Sequence, residues 1–269
     1  MPIICLACQA TASCNSILLS WIAVQIGRME GRLPELPVGG RPVDFTHAAP
    51  YLADGMRSPQ TPTDQIVSAG KWLADRKMVA GADGNISVRL GPDRLLITPS
   101  GFALDRLTPD DLVTVGADGE ILGGSGKPSS ELAAHLFFYR KRPAIGAVVH
   151  SHPPYATAFA AAGAELDWRV LPEMVVWVGP VALTKYAAPG TSDVPATLEP
   201  FIVDHHAFLL RNHGLITVGR TLDQALQRHE IVEHGARILF LSRLLGGPDR
   251  IPEVDLMRLN RMRESLETL

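Results

Sequence analysis

The run Ala144-Ile145-Gly146-Ala147-Val148-Val149 ends in His150-Ser151-His152 and is stopped by Pro153-Pro154. A short apolar run of this kind reads as a buried strand. Side chains two apart on a strand share a face, so His150 and His152 leave the sheet together. Proline lacks a backbone donor and closes the ladder just beyond them. Two imidazoles leaving one face at the end of a buried strand are half of a divalent-metal site. Two solvent-facing histidines at a strand end would leave the same pattern, so the rest of the chain has to decide.

The elements around this strand suit a sheet rather than a bundle. Gly81-Ala82-Asp83-Gly84 reads as a turn, followed by an alternating strand over 85–90 and a hairpin partner over 93–98. A further short pair is expected at 110–115 and 120–122, with strands at 175–178 and 181–183. Segments 207–210 and 215–218 flank Arg211-Asn212-His213-Gly214, a tight hairpin. Helices are expected after Thr63-Asp64, from Ser129-Ser130-Glu131 through Phe138-Tyr139, over 155–162, and over 222–245. Strands and helices mix without a regular βαβ beat. The fold class is therefore α/β, with a mixed or antiparallel sheet and helices on its faces.

Composition sets outer bounds. At 269 residues the chain has room for one large domain or two small ones. It is 46% hydrophobic and 20% charged, which suits a soluble protein with a core. A net charge of -3 and the absence of a long basic run argue against a nucleic-acid binder. The apolar run 17–24 is too short to span a bilayer and has no basic residue before it, so no membrane partner is expected. Cys5, Cys8 and Cys14 are confined to the first 14 residues. Cys5-x-x-Cys8 has redox or zinc spacing but no second pair, and the lack of a disulfide framework suits a reducing, cytoplasmic compartment. Residues 1–60 are rich in proline and glycine and read as an N-terminal extension, flexible or lying before a true start at Met29 or Met56. Residues 61–250 form the expected domain, and 251–269 a C-terminal tail.

The chemistry-bearing residues fall on turns and element ends, where a rigid scaffold presents function. His213, before Gly214 in the hairpin, would make a third neutral nitrogen beside His150 and His152; alone, it reads equally well as a turn residue. Three histidines with one position open make a Lewis acid. Ser129 and Ser130 open a helix, where free amides and hydroxyls suit a phosphate; Ser129 as a simple N-cap explains the same residue. Asn85 and Ser100-Gly101 offer further neutral donors. Glu131 in the first helical turn suits a general base or a metal neighbour, and equally a glutamate stabilising the helix dipole. His135 shares its helical face and is read as packing. His205-His206 read as exposed, and His229, Glu230, Glu233 and His234 as polar pairs on a solvated helix face.

Five strings, GADGNISVR, ITPSG, KPSSE, AVVHSH and LLRNHGLITVG, occur in this order over roughly 63–245. Together they resemble the class II aldolase/adducin family, particularly fuculose-phosphate-type aldolases. The resemblance implies a single three-layer domain with a mainly antiparallel central sheet flanked by helices, assembled as a homotetramer. It implies Zn2+, or another divalent cation such as Mn2+ or Co2+, on His150, His152 and His213. It implies a phosphate pocket from Asn85, Ser100, Gly101, Ser129 and Ser130, with Glu131 as the catalytic proton carrier. The implied reaction is reversible cleavage of a phosphorylated sugar, a ketose 1-phosphate, to dihydroxyacetone phosphate and an aldehyde. Ser129-Ser130-Glu131 differs from the Ser-Ser-Asp of the related 4-epimerases and the Ser-Ala-Glu of the dehydratases. A decarboxylase, dehydratase or epimerase on the same metal scaffold is the alternative, and an adducin-like binding module a more remote one. Two departures stand out. Ala82 occupies a position where the family often has a hydroxyl. The family's tyrosine, supplied by a neighbouring subunit, is missing from the stretch Val170–Met174, where Glu173 is the candidate replacement.

Overall fold

The computed structural model describes residues 61–268. The expectations on Cys5, Cys8, Cys14, the 17–24 run, Met29, Met56 and the N-terminal extension lie outside those residues. The described chain builds one sheet of eight strands: β1 (Asn85–Gly91), β2 (Arg94–Ile97), β3 (Val113–Gly116), β4 (Ile121–Gly123), β5 (Ala147–Ser151), β6 (Val181–Leu183), β7 (Ala207–Leu210) and β8 (Gly214–Gly219). Their order is β4-β3-β2-β1-β5-β8-β7-β6. Every neighbouring pair is antiparallel except β6–β7. The mainly antiparallel sheet with helices on its faces is thus the observed architecture.

The helices are α1 (Pro62–Asp75), α2 (Leu132–Lys141), α3 (Pro154–Ala162), α4 (Asp193–Leu198), α5 (Leu222–Leu244) and α6 (Glu253–Thr268). Strand alternation divides the core into two layers. Val148, Phe208, Leu210, Ile216 and Val218 join Phe138 and Leu198 of α2 and α4 on one face. Ala147 and Val149 pack with Ile66, Leu73 and Leu226 of α1 and α5 on the other. Leu209 and Leu215 extend that second face toward α3 and α5 through Phe159, Val232 and Leu239. The three layers follow from the alternation of side chains between the two faces of β5, β7 and β8, both of which are covered.

Several expected elements are re-cut. The first helix is capped two residues earlier than expected: the Asp64 amide donates to Thr61 Oγ1 at 3.1 Å and Pro62 takes the first turn, where its missing N–H costs nothing. Pro109–Asp111 is a 3-10 turn, so β3 begins only at Val113. The strand expected at 175–178 is a π-helix over Met174–Val178. A short β-branched run does not distinguish these states by itself. Packing decides: Met174 and Val178 bury against α5, whose Gly235 has no Cβ and so admits the Met174 sulfur. The tail expected from 251 carries α6, which packs on the π-helix and buries Leu256. Among the described residues no helix is long and apolar enough to cross a membrane.

Phe138, fully buried on α2, meets Phe208 of β7 with ring centroids 5.0 Å apart. Phe138→Ala should cost about 3–5 kcal/mol of unfolding free energy, read as a lowered denaturation midpoint with an unchanged slope.

Candidate metal centre

The centre is built at one end of the three middle strands. β5 delivers His150 as its fourth residue and His152 just past its end. The β7–β8 connection delivers His213, with Asn212 in the left-handed region at φ 56° and the His213 amide donating to the Leu210 carbonyl at 3.0 Å. The three rings form a near-equilateral triangle, with centroids 5.1, 4.7 and 5.0 Å apart. One nitrogen from each ring lies within 4.8 Å of the others. The convergence needs Gly214: a Cβ there would collide with the His152 ring and lie 2.6 Å from the Ser151 carbonyl oxygen.

Each strand-borne imidazole is oriented by its second nitrogen. His150 Nδ1–H donates to the Leu215 carbonyl at 3.0 Å, leaving Nε2 as an acceptor. Burial pushes its pKa down to about 3 against the opposing pull of Glu131, so the ring is neutral at neutral pH. His152 Nδ1 faces the Asp83 carboxylate at 3.1 Å, and burial lowers its pKa as well. Its Nε2 is buried without a hydrogen-bond partner. Asp83 is a functional residue the sequence reading took only as part of a turn. The signal was available in the pairing: Asn85 lies opposite His150, so an antiparallel register puts residue 83 opposite 152. Its other oxygen accepts from the Ala80 amide at 2.7 Å, which holds the carboxylate in place.

Glu131, immediately before α2, sends its carboxylate into the triangle. Its oxygens lie 3.0 Å from His150 Nε2 and 3.1 Å from His213 Nε2. Burial raises its pKa, but the facing His150 and His213 rings and the Asn85 amide outweigh burial and hold it below the ordinary carboxylate range. Three imidazole nitrogens and an ionised carboxylate, all capable metal ligands, converge on one point. This donor set, together with the orphaned His152 Nε2, fits a divalent metal.

Behind Glu131 runs a buried polar chain. Asn85 Nδ2–H donates to Glu131 Oε2 at 3.0 Å. A carboxylate only accepts, so the Asn85 oxygen must face His135 Nε2, 2.5 Å away, and accept from it. His135 Nδ1 then accepts from Ser87 Oγ at 2.6 Å, which accepts from Tyr139 Oη at 2.8 Å. Burial lowers the His135 pKa to about 4, consistent with the neutral ring this chain requires. His135 is therefore a fully partnered core residue outside the metal triangle. The Asn85 side chain, expected to meet phosphate, is engaged by Glu131 and His135.

The other expected donors gather beside the triangle. Ser100 N–H donates to the Lys127 carbonyl at 2.9 Å and Ser129 N–H to the Thr98 carbonyl at 3.0 Å, clamping the two loops together. Ser129 Oγ accepts from the Glu131 amide at 3.2 Å, while Ser100, Gly101 and Ser130 stay exposed. With Asp83, the three histidines and Glu131, these residues line a cavity of about 140 Å³. Glu173 does not line it; it stands half-buried at the start of the π-helix.

His234 is exposed as expected, while His229 and His206 depart from expectation. His229 is wholly buried, with Nε2 2.7 Å from Ser151 Oγ and Nδ1 2.9 Å from Thr217 Oγ1, and burial lowers its pKa to about 3. The partner hydroxyls come from β5 and β8, which the periodicity of α5 does not register. Glu233 accepts the Tyr155 and Ala156 amides at 3.0 and 2.8 Å, capping α3, and Glu230 pairs with Arg76 at 2.9 Å. His206 is half-buried and accepts from Arg142 Nη2 at 2.8 Å.

Known proteins define the class. The sequence profile described as Class II Aldolase and Adducin N-terminal domain matches residues 64–240. The chain belongs to this family. It is 35% identical over 202 residues to the 5-deoxy-D-ribulose 1-phosphate aldolase of Bacillus thuringiensis serovar kurstaki, covering 74% of this chain and 94% of the relative. It is 34% identical over 194 residues to the 3-oxo-tetronate 4-phosphate decarboxylase of Escherichia coli K12, covering 71% and 91%. A solved L-fuculose 1-phosphate aldolase superposes with a TM-score of 0.71 at 28% identity, covering 78% of this chain and 98% of that one.

Asp83→Asn should leave the fold intact and weaken metal retention about 10–100-fold, measured by dialysis against a chelator series. Gly214→Ala should abolish stoichiometric metal binding, with unaltered metal content contradicting the tight packing at this position.

Proposed function

We propose that the protein is a metal-dependent aldolase acting on a ketose 1-phosphate of the fuculose-phosphate or deoxyribulose-phosphate type. The observation that carries this reading is the three-histidine triangle with the Glu131 carboxylate inside it. His150, His152 and His213 would hold the ion, with Zn2+ the first choice for three imidazoles and one open position. A divalent cation there polarises the substrate carbonyl and acidifies the adjacent C–H bond. Ser100, Gly101, Ser129 and Ser130 would receive the phosphate through neutral donors and backbone amides. Asn85, expected there too, is assigned instead to holding Glu131 in position.

In the condensation direction, Glu131 starts ionised and takes a proton from the carbon beside the carbonyl of dihydroxyacetone phosphate. That carbon then bonds to the aldehyde carbon, and the aldehyde oxygen takes up a proton. Cleavage is the same path reversed, with Glu131 returning its proton to the three-carbon fragment. We assign the proton at the aldehyde oxygen to Glu173 of a neighbouring copy in a homotetramer. Glu173 does not line its own chain's cavity, so this role requires a second copy to bring it to the site. The Escherichia coli relative favours a second reading, decarboxylation of a phosphorylated β-keto acid. There too an electron pair is left beside a polarised carbonyl, so the same residues would serve.

Incubating the metal-loaded protein with ketose 1-phosphates and assaying dihydroxyacetone phosphate tests the first reading. Release of carbon dioxide from β-keto acid phosphates, with no triose from any ketose, would replace it by the second. Glu131→Gln should keep its metal and lose about 10²–10⁴-fold in kcat; normal turnover would remove Glu131 from its role. Glu173→Gln should lower kcat with KM nearly unchanged, and mixing it with Glu131→Gln should restore part of the activity in hybrid oligomers. Absence of that complementation places Glu173 outside the reaction.

A further inference from the structure

The opposite end of the middle strands holds a second cavity, of about 340 Å³. It lies where β5 begins and β8 ends, and its polar lining is Arg142, His206, Arg220, Gln224, Arg228 and Glu267. Among the described residues, three arginines and one carboxylate line it. Exposed Asp204 adds negative field at Arg142, while Arg263 adds positive field at His206 and Arg228.

Two of these guanidinium groups are built in rather than draped over the surface; the third, on exposed Arg220, donates from Nη1 to the Glu267 backbone carbonyl at 3.2 Å. Arg228 is 4% exposed and donates from Nε to the Trp177 carbonyl at 3.1 Å and from Nη1 to the Val218 carbonyl at 2.8 Å. Arg142 donates from Nη1 to the His205 carbonyl at 2.7 Å and from Nη2 to His206 Nε2. His206 is an acceptor in that bond and so adds no charge of its own; burial and the surrounding arginines keep it neutral. Arg228 Nη2 points at Glu267, the last acidic residue of α6, but the two lie 3.8 Å apart. The same carboxylate oxygen is 3.5 Å from His206 Nδ1. Both separations exceed ordinary hydrogen-bond distances. Glu267 is a loose, partly exposed counter-ion over a rigid, buried donor.

We propose that this cavity is a binding site for a small phosphate-class oxyanion, which displaces the Glu267 carboxylate and is held by Arg228 and Arg220. An oxyanion with four oxygens meets the planar donor fork of arginine better than a single carboxylate oxygen held at this distance. The volume accommodates a phosphate ester of a few carbons as well as the free ion. The site shares no residue with the metal centre, so its occupancy is independent of the catalytic reading.

Equilibrium dialysis of the full-length protein with labelled inorganic phosphate at low ionic strength tests this. Glu267→Gln removes the competing charge and should tighten the second equivalent of phosphate by about fivefold, the scale of a partly exposed ion pair. Arg220→Ala should lose that equivalent and keep the one bound beside the metal. Both residues are exposed, so circular dichroism and melting temperature should match wild type. Competition with glycerol 3-phosphate separates the sources: stronger displacement than by phosphate itself assigns a phosphate ester, equal or weaker displacement the free ion. Absence of any equivalent that Arg220→Ala removes, in wild type and Glu267→Gln alike, overturns the proposal. So does a fall in oligomeric state on Arg220→Ala with no second equivalent bound, which makes the cavity a subunit contact.

Discussion

Everything at the metal centre depends on the backbone pairing of β5 with β1 and β8. These hydrogen bonds set Asn85 opposite His150 and Ser151 opposite Leu215. A slip of one residue on β5 would turn His150 and His152 to the α5 face and bring Ser151 to the site. The register is protected by burial on both faces: every residue of β5 and β8 is buried. The paired strands supply two histidines and the turn between β7 and β8 supplies the third, so the triangle is fixed by backbone register rather than by a flexible loop.

A second layer of control lies behind the three histidines. Asp83 and the Leu215 carbonyl fix two of the imidazoles, while the chain from Tyr139 through Ser87, His135 and Asn85 reaches Glu131. The direction of every hydrogen bond in that chain follows from one fact, that a carboxylate only accepts. A fully satisfied buried network of this sort is rigid, because breaking one link leaves a polar atom unpaired in the core. Glu131 is thereby held among the three imidazoles rather than left to rotate at a helix end.

The two ends of the central strands are electrostatically unlike. One gathers acceptors, three imidazoles and a carboxylate, around a point suited to a cation. The other gathers guanidinium donors around a cavity, with one weakly held carboxylate from the C-terminal helix. The sheet between them buries mostly apolar side chains, and its buried Ser87, Ser151 and Thr217 are hydrogen-bonded.

Local sequence was enough for much of this. The apolar run ending in His-x-His, the Asn-His-Gly hairpin, the GADGN turn and the 222–244 helix are legible because each depends on period, proline and turn chemistry within a few residues. The ordered strings also carried the family and the identities of the three histidines and Glu131. Tertiary structure decided what no local period contains. The 174–178 run is a π-helix because α5 offers a glycine to its methionine. Asp83 meets His152, and His229 lies buried, because strands distant in sequence bring a carboxylate to one ring and two hydroxyls to the other. Periodicity says which way a side chain points; only the pairing of remote segments says what it meets there.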